Sequence, residues 1–304
     1  MTTPRLTRRA LLAATALAPL ASALPIGRVK LGITTDEIDD DVATAAAFLA
    51  EYKLQWAEVR NIWGKYNTEL PVDRVKEARA IFDKHGIRTS ILSTGFFKIA
   101  LPPDTPAGRG ILDNQWSLLD GAMERAKVLG ADKLRIFAFT HRKGETPDPA
   151  NYPRIYELVT EAARRAKLRG LRLAVENVGG SYVWSGAQAA ALLKHVQHGS
   201  LGLVWDPNNA ATSGEKSFPT GYNMLDAARI MHVHLRDFGK DAKGEFEWRA
   251  VGTGDMDNLG QIRALLKAGF QESFTLETHF QHPLGKMHAT RTSLTALLKV
   301  FEAA

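Results

Sequence analysis

After residue 28 the chain repeats one unit eight times: a short apolar run, a polar turn, then a segment with helical periodicity. The apolar runs fall at 29–34, 56–60, 87–92, 133–139, 171–176, 201–206, 230–235 and 273–277. The helical segments follow at about 40–53, 71–85, 112–129, 151–169, 185–196, 221–229, 257–268 and 289–302. Leu112, Trp116, Leu119, Met123 and Ala126 show the three-four spacing of a helix with one buried face. Pro71 and Pro153 suit first turns, and Gly86, Gly130 and Gly170 suit helix ends. Strands alternating with helices demand a parallel sheet. Eight units without a linker predict an α/β fold, a (β/α)8 TIM barrel, as one catalytic domain over 24–304. No Gly-x-Gly-x-x-Gly follows the first strand, which argues against a dinucleotide fold. The longest irregular stretches, 93–111 and 236–255, each follow a strand and belong on the catalytic rim.

Residues 1–23 read differently. Arg8 and Arg9 precede an apolar run to Leu20, and Ala21-Ser22-Ala23 supplies a small-x-small cleavage site. The segment predicts a signal peptide of twin-arginine type, the twin-arginine export machinery as a partner, and a periplasmic or secreted product. That route carries folded proteins, which suits a metal loaded before export. The alternative is a cytosolic chain with an Ala-rich first helix. The apolar run is too short to anchor the chain in a bilayer. Loss of Arg5, Arg8 and Arg9 with the leader lowers the net charge from +6 to +3. The remaining basic residues are scattered, without the cluster that nucleic-acid binding needs. The chain has no cysteine, which excludes disulfides, zinc–thiolate sites, iron–sulfur clusters and thiol nucleophiles.

The last four strands share a pattern. Leu171, Leu173 and Val175 alternate with Arg172, Ala174 and Glu176; Leu201, Leu203 and Trp205 with Gly202, Val204 and Asp206. Met231, Val233 and Leu235 alternate with His232, His234 and Arg236; Phe274 and Leu276 with Thr275 and Glu277. Helices cover the outside of a barrel, so the wholly apolar set faces outward and the other set inward. Glu176, Asp206, His234 and Glu277 then stand at the carboxyl ends of adjacent strands, about 4.8 Å apart, and converge on one point. Three carboxylates there repel unless a cation sits among them. Three oxygen donors and one imidazole suit one divalent ion: manganese first, with cobalt, magnesium or zinc as alternatives. The competing reading pairs these acids with interior arginines such as Arg60 or Arg135.

The segments Ala174-Val175-Glu176-Asn177, Trp205-Asp206-Pro207-Asn208-Asn209, His232-Val233-His234-Leu235-Arg236-Asp237, Val251-Gly252-Thr253-Gly254-Asp255 and Thr275-Leu276-Glu277, with Glu58-Val59-Arg60, resemble the xylose-isomerase-like barrel superfamily. The likeness is closest to its sugar phosphate isomerase/epimerase branch, which includes D-tagatose 3-epimerase-type enzymes. The resemblance implies that Glu176, Asp206, His234 and Glu277 bind one metal. Glu176 and Glu277 come from strands either side of that metal, which makes them the catalytic pair, one to remove a proton and one to return it. The resemblance departs at two substrate-handling positions. Asn209 stands where these epimerases carry histidine, and Tyr182 where they carry glutamate.

Further candidates for substrate contact are Glu58, Arg60, Lys98, Asn209, Arg236 and His279. Glu58 and Arg60 share one side of strand two, as sugar-hydroxyl grips or as a buried ion pair. Lys98 lies on the loop after strand three, where solvation is the alternative. His232, one layer below His234, reads as a satisfied interior histidine. Trp63, Trp184 and Trp248 lie on or near rim loops, as a wall for a sugar ring or as core. Together these features predict a divalent-metal-dependent isomerase or epimerase acting on a sugar or keto-sugar through an enediolate. A lyase opening 3-keto-glycosides by β-elimination, and a non-catalytic periplasmic sugar-binding barrel, are the alternatives. A homo-oligomer is compatible with the sequence.

Overall fold

A computed structural model describes residues 29–141 and 144–304; the expected signal peptide lies outside the described residues. Eight parallel strands close into a barrel: β1 (Lys30–Thr34), β2 (Trp56–Val59), β3 (Arg88–Ser93), β4 (Lys133–Ile136), β5 (Arg172–Glu176), β6 (Leu201–Trp205), β7 (Ile230–Leu235) and β8 (Ser273–Leu276). Each pairs with its neighbours in sequence, and β8 closes onto β1 with Lys30 beside Ser273 and Ile33 beside Leu276. Helices follow each strand: α1 (Val42–Glu51), α2 (Val72–Lys84), α3 (Pro106–Leu129), α4 (Tyr152–Leu168), α5 (Gly186–His195), α6 (Pro207–Thr212), α7 (Asn258–Lys267) and α8 (Lys286–Ala303).

The strand alternation sorts side chains as expected. Leu173, Val175, Leu203, Trp205, Val233, Leu235, Phe274 and Leu276 join the large core between sheet and helices. Inside the barrel lies a separate apolar cluster of Ile91, Ala174, Val204 and Met231. Met231 is a correction, because alternation alone turns it outward. On β6 Leu203 pairs with Ile230 and Val204 with His232, so Met231 is the extra residue of a bulge. Its side chain turns in over Gly202, where a Cβ would come within 2.7 Å of Met231 Cγ.

Three segments depart from the sequence expectation. Helix α3 begins at Pro106, because Thr105 caps it through the Gly108 N–H and proline suits the first helical position. The helix expected at 221–229 is absent. There Asp226 accepts the Ala228 N–H and starts a separate turn, and the short α6 occupies the position after β6. The long stretch after β7 contains an antiparallel hairpin, Asp237–Lys240 with Phe246–Arg249. The base of that hairpin is tied by Asp237. Its buried carboxylate accepts backbone N–H groups from Phe238, Gly252, Gly254 and Met256. Gly254 is required there, since a Cβ would collide with the Phe238 carbonyl and the Asp237 carboxylate. Among the described residues no helix is long and apolar enough to cross a membrane.

Candidate metal centre and active site

Glu176 ends β5, Asp206 follows β6, His234 lies in β7 and Glu277 follows β8, all at the carboxyl ends of neighbouring strands. Their ligand-type atoms lie within 4.8 Å of one another. His234 Nδ1 is 3.4 Å from Glu176 Oε1, 3.7 Å from Asp206 Oδ2 and 3.5 Å from Glu277 Oε2. All four residues are buried. Local structure fixes the approach of each. Asp206 doubles as the N-cap of α6, with Oδ1 accepting the Asn209 N–H at 2.9 Å. Asn177 straps β5 to β6: its side chain accepts the Asp206 N–H and donates to the Asp206 carbonyl.

The ligand set rests on a buried polar layer. Glu58 is fully buried, with Oε2 2.9 Å from His234 Nε2 and 3.0 Å from His232 Nε2, and Ser93 donates to Oε1. His232 also meets Ser273 Oγ at 2.6 Å. Burial pulls His232 down to about 4, so it stays neutral. Among the described residues three arginines flank the acids. Arg135 Nη1 lies 3.1 Å from Glu176 Oε2, Arg236 donates to Asp206 Oδ2, and Arg60 Nη1 lies 2.7 Å from Glu277 Oε1. Arg60 also holds Asp36 and Glu37; it does not pair with Glu58. His279 accepts from Arg236 at Nδ1, 3.0 Å away, and faces Glu277 and Glu37 with Nε2 at 3.7 and 3.8 Å. Lys98 stands exposed on the rim with its Nζ 4.8 Å over the Phe137 ring. The enclosing walls and Arg135 lower its ammonium pKa.

The sequence profile described as "Xylose isomerase-like TIM barrel" matches residues 46–299. The chain belongs to this family. No curated protein matches it. Among solved structures, the IolI protein with a bound zinc atom superposes with a TM-score of 0.74 at 17% identity, covering 90% of this chain and 99% of that one. The probable 3-DHS dehydratase AsbF of Bacillus anthracis gives 0.69 at 13%, covering 88% and 99%. D-allulose 3-epimerase from Methylomonas sp., in complex with D-allulose, gives 0.65 at 17%, covering 87% and 88%.

In this xylose isomerase-like barrel the donor set fits a divalent cation. Among the described residues His234 Nδ1 and Glu277 Oε2 are buried and make no hydrogen bond, although Arg236 Nη1 lies 3.4 Å from Glu277 Oε2, and both face the point where the four residues converge. Orphaned buried polar atoms are costly, and an ion satisfies both at once. The second nitrogen of His234 is held by a carboxylate, the support that metal-binding imidazoles use. The electrostatics agree. Burial alone would lower the His234 pKa, but the Glu58 and Glu277 carboxylates raise it well above the ordinary imidazole value. Burial works to raise Glu277, but Arg236 and His234 hold it well below the usual carboxylate range. Burial likewise opposes ionisation of Asp206, and Arg236 overrides it. Pairing with interior arginines and grouping around one cation-seeking point thus coexist. Each acid meets an arginine, while the Nδ1 edge of the imidazole faces the point of convergence without a hydrogen bond among the described residues.

The remaining sequence candidates occupy distinct places. Glu58 lies beneath His234, away from the rim. Asn209 donates its side-chain amide to the Asn177 carbonyl, and the Tyr182 hydroxyl accepts from Asn151 at 2.6 Å. Trp248 stands at the mouth against Arg236 and His279. Trp63 lies under Arg74, and Trp184 bonds Thr212. Asp36 and Glu37 escaped the sequence reading, although the strand-end rule that found Glu176 points to them after β1. Asp237 was visible only as part of a motif, because its partners are backbone N–H groups that carry no sequence signal.

Proposed function

We propose that this chain is a divalent-metal-dependent isomerase or epimerase that moves a proton on the carbon next to a sugar carbonyl. The observation that carries the reading is the buried convergence of Glu176, Asp206, His234 and Glu277 with two orphaned donor atoms facing inward. Manganese suits three carboxylates and one imidazole best, with cobalt, magnesium and zinc as alternatives. When bound, the ion supplies Lewis acidity for the carbonyl and charge for the enediolate that forms. Glu176 and Glu277 come from strands on either side of His234 and serve opposite faces of the substrate. One takes the proton from carbon and the other returns one, which inverts the centre. Arg60 and Arg135 hold these two carboxylates in place, and Lys98 and His279 are placed at the mouth to meet substrate oxygens. The fold neighbours include an epimerase and a probable dehydratase.

A specific observation favours a second reading. The two positions at which this sequence departs from the ketose epimerases, Asn209 and Tyr182, are engaged in hydrogen bonds within the fold. A lyase on a 3-keto-glycoside needs only the first half of the reaction. The C–H bond beside the carbonyl breaks, its electrons form a carbon–carbon double bond, and the bond to the aglycone oxygen breaks as that oxygen takes a proton. We place the enzyme outside the cytoplasm on the strength of Arg8-Arg9 and the apolar run. Replacing both arginines with lysine should trap an uncut precursor, and unchanged export removes the assignment.

Turnover of free sugars, keto-sugars and keto-glycosides with manganese in deuterium oxide tests the chemistry. An epimerase returns an intact sugar with deuterium beside the carbonyl. A lyase releases an aglycone and an unsaturated keto-sugar. A substrate that turns over with neither deuterium nor elimination, and without a primary isotope effect when its own carbon is deuterated, refutes the carbanion route.

A further inference from the structure

The hairpin after β7 pairs Phe238 with Trp248 and Lys240 with Phe246. Directly paired residues share a face, and side chains alternate along a strand. Phe238, Lys240, Phe246 and Trp248 therefore lie on one face, and Asp237, Gly239, Glu247 and Arg249 on the other. The rings form a continuous row. Phe238 and Phe246 stack with centroids 5.0 Å apart, Phe246 meets Trp248 edge-on at 4.9 Å, and Trp248 meets His279 at 4.8 Å. Trp248 also lies 4.8 Å from the guanidinium of Arg236, which bonds Asp206. The row thus starts at the ligand set and runs outward to Phe246, which is 50% exposed.

Cross-strand pairing accounts for the contacts between the rings. It does not account for a row that begins on the residues of the barrel mouth and ends open to solvent. The hairpin pairs with no barrel strand, yet the buried Asp237 fixes its base to the 252–256 loop. A rigid aromatic surface continuous with a polar, metal-ligating mouth suits an amphipathic ring: apolar C–H faces for stacking and hydroxyls at the edge.

We propose that this face is a second-ring subsite. It receives the ring joined to the sugar held at the mouth, so the substrate is a glycoside and not a free monosaccharide. The inference rests on the sugar reading above, and within it favours the lyase, whose leaving group would lie on this surface.

The test uses metal-loaded protein and matched probes: D-glucose, methyl β-D-glucoside and phenyl β-D-glucoside, with the galactose and xylose series in parallel. Titration followed by tryptophan fluorescence and by saturation-transfer NMR gives Kd and the protons in contact. The phenyl glycoside is expected to bind about tenfold more tightly than the methyl glycoside, with saturation on its aglycone. Phe246→Ala should remove most of that advantage and leave methyl glycoside binding unchanged. The unliganded tryptophan emission of the variant checks that Trp248 stays seated. Equal affinity for the phenyl and methyl glycosides, or a Phe246→Ala variant that keeps the advantage, overturns the subsite while leaving the sugar reading standing. Failure to bind of every probe series and of the 3-keto forms of the same glycosides overturns the sugar reading, and the subsite with it.

Discussion

Replacing Glu58 with glutamine isolates what the layer beneath the ligands contributes. A carboxylate only accepts hydrogen bonds, so the 2.9 Å contact from His234, the 3.0 Å contact from His232 and the Ser93 contact are all donated to it. That keeps a proton on Nε2, so the proton that leaves His234 when metal binds is the one on Nδ1, whose lone pair is then aimed at Glu176, Asp206 and Glu277. Glutamine keeps an oxygen for the two imidazoles but removes the charge that makes His234 a stronger donor to metal. Loss of such a support typically costs 10–100-fold in metal affinity, roughly 1.4–2.7 kcal/mol. Leucine in the same place goes further. It leaves two imidazole N–H groups and a hydroxyl buried without an acceptor, at ~1–3 kcal/mol each, and so weakens folding as well as binding. Competition between the protein and a chelator for cobalt(II) reads the affinity, and the visible spectrum of the bound ion reads the ligand field. The glutamine variant should hold cobalt with a weaker constant and a shifted spectrum, while unfolding near the wild-type temperature. Wild-type affinity with an unchanged spectrum would show that Glu58 does not orient His234.

The other predictions concern the ion, its proton and the hairpin. Elemental analysis should find one divalent ion per chain, and Asp206→Ala or His234→Ala should lose it; full occupancy in both variants eliminates the four-residue site. In metal-free protein the His234 pKa is raised. The stability its proton contributes is complete below about 6.5, the ordinary histidine value, and is lost as pH rises through the folded value. Metal uptake near neutral pH should therefore release about one proton, read by calorimetry in buffers of different ionisation enthalpy; no release would mean that the imidazole is already neutral. Gly254→Ala forces a Cβ into the Phe238 carbonyl and the Asp237 carboxylate. It should lower stability by ~1–3 kcal/mol, and an unchanged unfolding temperature would show that the clamp does not hold the hairpin.

The fold was legible because both of its periodicities are strong. Alternation along β5 to β8 put Glu176, Asp206, His234 and Glu277 on the inner side without any knowledge of their partners. It misplaced Met231, since a bulge is a property of two paired strands and neither shows it alone. The helix expected at 221–229 failed for a related reason: the apolar spacing was present, but the Asp226 side chain captured the backbone locally. Glu58 was correctly turned inward, but its partners lie 174 and 176 residues away. No local pattern distinguishes an acid that would meet a sugar from one that holds a histidine. Pairing of the acids with interior arginines was the competing sequence reading, and the structure shows it, though which arginine meets which acid needed the closed barrel. Arg60 and Arg135 were seen as inward cations, and only the closed barrel shows that each faces one of the proposed ligands.

The four proposed ligands all come from the second half of the barrel, whereas Glu58, Arg60, Lys98 and Arg135 come from the first, with Arg236, among the described residues, the flanking arginine on the ligand side. The two halves are thus unequal in what they can vary. Substitution between β1 and β4 alters the field around the ion, and hence the basicity of its acids, without removing a ligand. Substitution between β5 and β8 risks the ion itself. A laboratory library confined to residues 36–37, 59–60, 93–98 and 135, with Glu58 left unchanged beneath His234, would explore chemistry without touching the four proposed ligands.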